Sequence, residues 1–202
     1  DVSDLIVNCP RFDNDQYAPY WTSSVTPTGV YWGSVEFWNT NFDMHQTIYG
    51  LPAGTYRLQT RAFYRYGSQV NNLNAYNDGT LQRNAKLYIS DSNGTKTADI
   101  LAISDDPSEL TAQGGWSTES YNGNRVPNNM EAGYYAIEIN NQYVPQNGCG
   151  TVDIVSEGGD ITIGARKYVA VPDDWTFFGD FTLYYLGAPE LVLDETSADA
   201  PT

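Results

Sequence analysis

The chain has 202 residues, with 25 acidic and 10 basic side chains and a formal net charge of −15. That balance argues against nucleic-acid binding and against docking on anionic membranes, both of which need a cationic footprint. No apolar run approaches the length of a bilayer span, while 41% hydrophobic residues, including 16 Tyr, 7 Phe and 5 Trp, suffice for the core of one domain.

In chain order, 1–13 (DVSDLIVNCPRFD) reads as a short strand with Leu5 and Val7 on one face, ended by Asn8-Cys9-Pro10. The opening DVSDLIVN has no secretory leader, as expected of a mature or excised fragment. Residues 14–33 are aromatic and turn-rich. Val35–Trp38 reads as a strand, and so does the MHQTI segment at 44–48. Ser68–Arg83 is polar and Asn-rich and reads as an insertion-like loop. Asn84–Ser90 alternates as a strand. DSNGT at 91–95 is a hairpin turn with Asn93-Gly94 at its tip, followed by a strand over Lys96–Ile103. The one predicted helical turn lies at Met130–Ala132. Gly150–Ser156 and Asp160–Tyr168 are strands separated by Gly158-Gly159, and Trp175–Leu186 is the last core strand. Many short strands, close turn signals and almost no helix predict an all-β antiparallel β-sandwich.

The longest predicted strand follows the LPAG turn at 51–54. Tyr56, Leu58, Thr60, Ala62, Tyr64 and Tyr66 share one parity, and Arg57, Gln59, Arg61, Phe63 and Arg65 the other. The first row is expected in the core. The second is expected to look at water or at a ligand.

Three stretches, LIVNCPRFD, GLPAGTYRLQTRAFYR and DITIGARK…DDWTFFGDFTLYYLG, resemble one family. It is the galactose-binding-domain-like jelly rolls of secreted, multimodular proteins of Bacteroidetes-type bacteria. The resemblance covers most of residues 1–187 and implies a jelly-roll carbohydrate-binding module. Residues 188–202 then read as a linker to a following module. Cys9 interrupts a usual Asn-Pro step, and Gly179 stands where an Asp is common in the family. The family often carries a structural calcium near its joined termini, for which Asp13 and Asp180 are the candidate ligands, with Asn14 and Asp15 beside Asp13. The alternative is that Asp13–Asp15 caps a turn and Asp180 is solvated.

Catalytic patterns are poor. The single histidine, His45, and the lack of a GxSxG motif leave a Ser–His–Asp triad unsupported, and no acidic pair carries a glycosidase signature. One His and two distant cysteines do not make a zinc set. Cys9 and Cys149 are either bonded or two free thiols. Carbohydrate binding rests on aromatic platforms for pyranose faces and planar polar partners for hydroxyls. Trp21 and Trp175 read as core, whereas Trp32, Trp38 and Trp116 lie in or beside turn-rich segments, with Trp116 in GGWST as the leading candidate. Tyr31, Tyr66 and Tyr121 are secondary candidates, and Asn128 and Asn129 either add amide hydrogen bonds or cap the short helical turn. Arg61 and Arg65 offer guanidinium forks for vicinal hydroxyls or a uronate, or else pair with neighbouring carboxylates.

The sequence therefore predicts a non-catalytic module of a secreted or cell-surface protein, monomeric, holding its attached domains on a complex polysaccharide or oligosaccharide, with plant cell-wall glycans favoured. A structural or adhesive spacer that binds protein is the alternative reading, and a small glycoside hydrolase is a third.

Overall fold

The structure, a computed structural model, describes residues 1–7, 20–31, 33–100, 119–121, 124–126 and 150–188. Its elements in chain order are β1 (Thr22–Ser23), β2 (Gly29–Tyr31), β3 (Ser34–Trp38), β4 (Phe42–Leu51), β5 (Gly54–Arg65), α1 (Gln69–Asn77), β6 (Ala85–Asp91), β7 (Gly94–Asp99), β8 (Glu119–Tyr121), β9 (Asn124–Val126), β10 (Thr151–Ser156), β11 (Gly159–Lys167) and β12 (Trp175–Gly187). Two five-stranded antiparallel sheets form the body. One has the order β1-β4-β11-β6-β7 and the other β10-β5-β12-β3-β2. The antiparallel β-sandwich expected from the sequence is the observed architecture.

Alternation explains the core. Phe42, Met44 and Ile48 of β4, Leu87 and Ile89 of β6, and Ile161, Ile163 and Ala165 of β11 point inward from the first sheet. They meet Val35, Phe37, Tyr56, Leu58, Ala62, Tyr64, Phe178 and Leu183 of the second in one cluster. Phe37 and Phe42 stack across the sandwich with centroids 4.1 Å apart. The LPAG turn is held by two phenols: Tyr56 donates to the Pro52 carbonyl at 2.7 Å and Tyr185 to that of Ala53 at 3.1 Å. The strands on either side of Gly158-Gly159 belong to different sheets, so this turn is a corner of the sandwich.

Three expectations are corrected. The N-terminal segment is a 3-10 turn over Ser3–Leu5, with Ile6 buried and Leu5 and Val7 exposed. Its backbone is met by a side chain instead of a strand: Gln46 accepts from the Val7 N–H at 2.8 Å and donates to its carbonyl at 2.9 Å. Val2 nevertheless donates to Leu183 of β12 at 2.8 Å, so the start of the chain lies beside the last strand. The segment after β5 is the helix α1, capped by Ser68, whose hydroxyl accepts from the Asn71 N–H. Its buried residues are only Asn72, Leu73 and Ala75, too few for a readable apolar stripe. Finally, the outward row of β5 is open only in part. Phe63 and Arg65 are buried, as are their outward neighbours Trp175 and Phe177 on β12.

The helical turn expected at Met130–Ala132, both cysteines, and all of the expected linker except Ala188 lie outside the described residues. The hairpin at 91–94 has Ser92-Asn93 as its two turn residues, since Asp91 pairs directly with Gly94.

A buried ion pair links the sheets at one end. Lys167 closes β11, Asp174 precedes β12, and their Nζ and Oδ1 lie 2.6 Å apart with both side chains 0% exposed. Burial pushes the Lys167 ammonium below its ordinary value, against the opposing pull of the Asp174 carboxylate. Removing one partner leaves a buried charge alone, so Lys167→Met is expected to cost about 3–5 kcal/mol in urea unfolding, with Asp174→Asn restoring part of the loss. A cost below about 1 kcal/mol would show that the pair does not hold the sheets together.

Candidate functional site

Of the residues singled out from the sequence, Trp32, Trp116, Asn128 and Asp13 lie outside the described residues. Tyr121 ends the short strand β8. Tyr66 is half-buried against the core, and its backbone N–H donates to Asn72 Oδ1 at 2.7 Å. Trp21 and Trp175 are buried, as expected.

Arg65 is a correction. It is 2% exposed, and its guanidinium donates to the Gly67 carbonyl at 3.0 Å and the Asp173 carbonyl at 3.2 Å. It also lies over the rings of Trp38, at 5.1 Å, and Trp175, at 5.6 Å. Trp38, the last residue of β3, is 42% exposed.

Arg61 is half-exposed and meets Asp180 at 3.3 Å. Asp180 sits at the bulge of β12 with φ 50°, where Gly179 comes too close to Gly33 and Ser34 for any side chain. A calcium ion takes six to eight oxygen ligands. Asp180 faces a guanidinium, no group of three His, Cys, Asp or Glu side chains is gathered among the described residues, and Asp13 to Asp15, the other expected ligands, lie outside them.

A denser arrangement lies on the outer face of the first sheet. By alternation this face carries Asp43, His45, Thr47 and Tyr49 from β4, Thr162, Gly164 and Arg166 from β11, and Lys86, Tyr88 and Ser90 from β6. The register puts Gly164 between His45 and Tyr88. A Cβ there would lie 2.4 Å from the Met44 carbonyl and 2.9 Å from Tyr88 Cε1, so glycine lets the Tyr88 ring lie across β11. The phenol thereby reaches Asp43 on β4 and donates to Oδ1 at 2.8 Å. His45 Nδ1 lies 3.0 Å from the same oxygen, and Tyr168 donates to Oδ2 at 3.5 Å. Arg166 packs on the rings of Tyr88 and Tyr168, at 4.7 and 5.0 Å. Burial, then the bond to Asp43, pushes the Tyr88 phenol well above the ordinary value of 10.0.

This face is open. Tyr168 is 62% exposed and Tyr49 75%. Thr47 and Thr162 share a hydroxyl–hydroxyl hydrogen bond of 2.9 Å between them. Beside β4, Tyr20, His45, Thr47 and Tyr49 line a groove of about 460 Å³ whose far wall includes Leu5 and Val7. The arrangement offers exposed rings, hydroxyls, an imidazole and a guanidinium on a rigid sheet. Of the site residues expected from the sequence, Trp38, Arg61, Arg65, Tyr66 and Asp180 are described and lie elsewhere. The outward parity of NAKLYIS and DITIGARKY was available as a signal, but not the fact that the two strands are neighbours.

No family model matches the sequence, and no curated protein matches it. Among solved structures the chain is similar to that of TmCBM61 in complex with β-1,4-galactotriose, at 19% identity over 90% of this chain and 97% of that chain, with a TM-score of 0.41. A likeness of that size transfers neither a ligand nor a site.

The Gly164 contact predicts that Gly164→Ala destabilises by about 1–3 kcal/mol in urea unfolding, because the Met44 carbonyl is backbone and cannot move aside. Unchanged stability would mean that Tyr88 does not need this approach. Tyr88→Phe should cost about 1 kcal/mol near neutral pH through the lost bond to Asp43. A phenol whose folded value is raised stabilises fully below the unfolded value of about 10 and loses that contribution as pH rises beyond it. Tyr88→Phe should therefore lose less stability than the parent above pH about 10; equal losses would remove Tyr88 as a source.

Proposed function

We propose that this domain is a non-catalytic carbohydrate-binding module and that the outer face of the β1-β4-β11-β6-β7 sheet is its glycan platform. The observation that carries this reading is the open row of exposed aromatics and hydrogen-bonding side chains from Tyr168 to Tyr49. Pyranose C–H faces stack on phenol rings, and sugar hydroxyls need both donors and acceptors, which His45, Thr47, Thr162 and Arg166 supply. Lys167 pairs with Phe42, so Tyr168 begins one end of β4 and Tyr49 nearly closes the other. At the rise of a strand, the row is roughly 25 Å long. That length suits an extended oligosaccharide. Trp38 is a second platform on the opposite sheet.

Binding is favoured over hydrolysis by the state of the carboxylates. Asp43, Asp99, Asp153, Asp174 and Asp180 each face a phenol, imidazole, ammonium or guanidinium. Each of these carboxylates is occupied by its partner, whereas a glycosidase needs two carboxyl groups facing each other across the sugar. The module would serve a secreted or cell-surface protein, keeping its attached domains on complex glycan, with plant cell-wall polysaccharide favoured.

Affinity electrophoresis against β-glucan, xylan, mannan, galactan and pectin tests the reading. At least one polymer should retard the protein. Tyr168→Ala should weaken that retardation by about three- to tenfold, the value of one aromatic stack. Trp38→Ala asks the same of the second platform. Absence of retardation by every polymer, or release of reducing sugar from any of them, would overturn the proposal.

A further inference from the structure

We propose that Arg166 is a carboxylate anchor, so that the glycan taken by the outer sheet face is one bearing uronic acid residues. The inference rests on the carbohydrate-binding reading and names the ligand class of that same face.

The argument begins with an ion pair that does not form. Arg166 and Asp43 are direct cross-strand partners between β11 and β4, on the same outward face. Opposite charges in that relation ordinarily pair. Elsewhere in this acidic chain they do: the cross-strand partners Arg57 and Asp153 share two bonds of 2.8 Å, and Lys86 holds its cross-strand partner Asp99. Arg61 and Lys167, which have no acidic cross-strand partner, still find Asp180 and Asp174. Arg166 holds no carboxylate and makes no hydrogen bond among the described residues. Its contacts are the rings of Tyr88 and Tyr168.

The reason is the glycine. Because Gly164 lets Tyr88 cross β11, the Asp43 carboxylate is taken by the Tyr88 phenol and the His45 imidazole, with Tyr168 at the second oxygen. Asp43 is thereby occupied, and the guanidinium is turned onto two aromatic faces. Rings satisfy its charge in part but accept none of its N–H groups in the plane. What remains is a planar fork of donors, fixed in orientation on an open face beside an exposed tyrosine. A planar carboxylate is the group that such a fork binds with two parallel bonds, and a hydroxyl is not. On a sugar-stacking surface the available carboxylate is that of a uronic acid.

The net charge of −15 opposes a polyanion at long range. At physiological ionic strength, with a screening length of about 8 Å, a guanidinium in direct contact outweighs distant surface carboxylates. A short acidic oligosaccharide is therefore the right probe.

Titration calorimetry with trigalacturonate, its methyl ester and β-1,4-galactotriose at about 0.15 M salt tests the proposal. The acid should bind about tenfold or more tightly than its ester, the worth of a charged hydrogen bond. Arg166→Gln should bring the two affinities together, and Arg166→Lys should keep part of the gap, with thermal unfolding confirming that each variant is folded. Equal binding of acid and ester by the parent chain would overturn the proposal while leaving the carbohydrate reading in place. A preference that survives in Arg166→Gln would overturn it too, since the carboxylate would then be read elsewhere. Failure of all three sugars and of the whole polymer panel would remove both readings.

Discussion

An ammonium and a carboxylate 2.6 Å apart, both fully out of water, are costly to bury and costlier to separate. Lys167 and Asp174 sit where β11 of one sheet hands over to β12 of the other, so the cost falls on the joint of the sandwich. The pair is not isolated. Asp174 also accepts from the Val171 N–H at 3.0 Å and faces the Tyr64 hydroxyl, and its own carbonyl accepts from Asn39 at 2.8 Å. Arg65 takes the neighbouring Asp173 carbonyl. The Asp174 carboxylate thus ties β5 and β11 to the start of β12, and the carbonyls of Asp173 and Asp174 add Arg65 and the β3–β4 turn. The segment between Lys167 and Asp174 is short and tied at both ends, and Tyr168 stands at its start. A polar interaction in the core therefore decides where an exposed ring is presented.

The two outer faces of the sandwich then differ in kind. On the second sheet, Phe63, Phe177, Trp175 and Arg65 point outward and are nonetheless buried, so that face has a second apolar layer. On the first sheet, the outward residues are threonines, a histidine, charged groups and tyrosines, and Tyr49 and Tyr168 stay in water. Exposed rings beside hydrogen-bonding groups are what a sugar can use; buried rings are what a fold can use. The same residue types, tyrosine and arginine, serve opposite purposes on the two faces because of what lies over them.

This difference explains what was legible in the sequence. Parity along β5 correctly assigned Tyr56, Leu58, Thr60, Ala62 and Tyr64 to the core, because alternation is a property of the strand itself. Parity says nothing about what covers the other row, and Arg65 was misplaced for that reason. Trp21 and Trp175 were both correctly expected to be buried, Trp21 between the sheets and Trp175 on the outer side of the second sheet. Helix α1 was missed because it buries few apolar side chains, although Ser68 at its start is a readable cap. The candidate site was illegible for a topological reason. Its residues come from 42–51, 85–91 and 159–167, strands far apart in the chain that become neighbours only in the order β4-β11-β6.

Gly164 shows how one small residue can reorganise charge over three strands. Any side chain at that position would collide with the Met44 carbonyl and the Tyr88 ring. Tyr88 would then have to stand off β11, Asp43 would regain its cross-strand arginine, and Arg166 would become one more surface ion pair of small energetic value. With glycine in place, the phenol replaces the guanidinium at the carboxylate. The guanidinium then lies over the rings of Tyr88 and Tyr168. The stability forgone at one ion pair is at most about 1 kcal/mol, whereas a preoriented charged donor in a binding face is worth more than that to a matching ligand. The chemistry of the face thus follows from the absence of a Cβ on the strand beneath it.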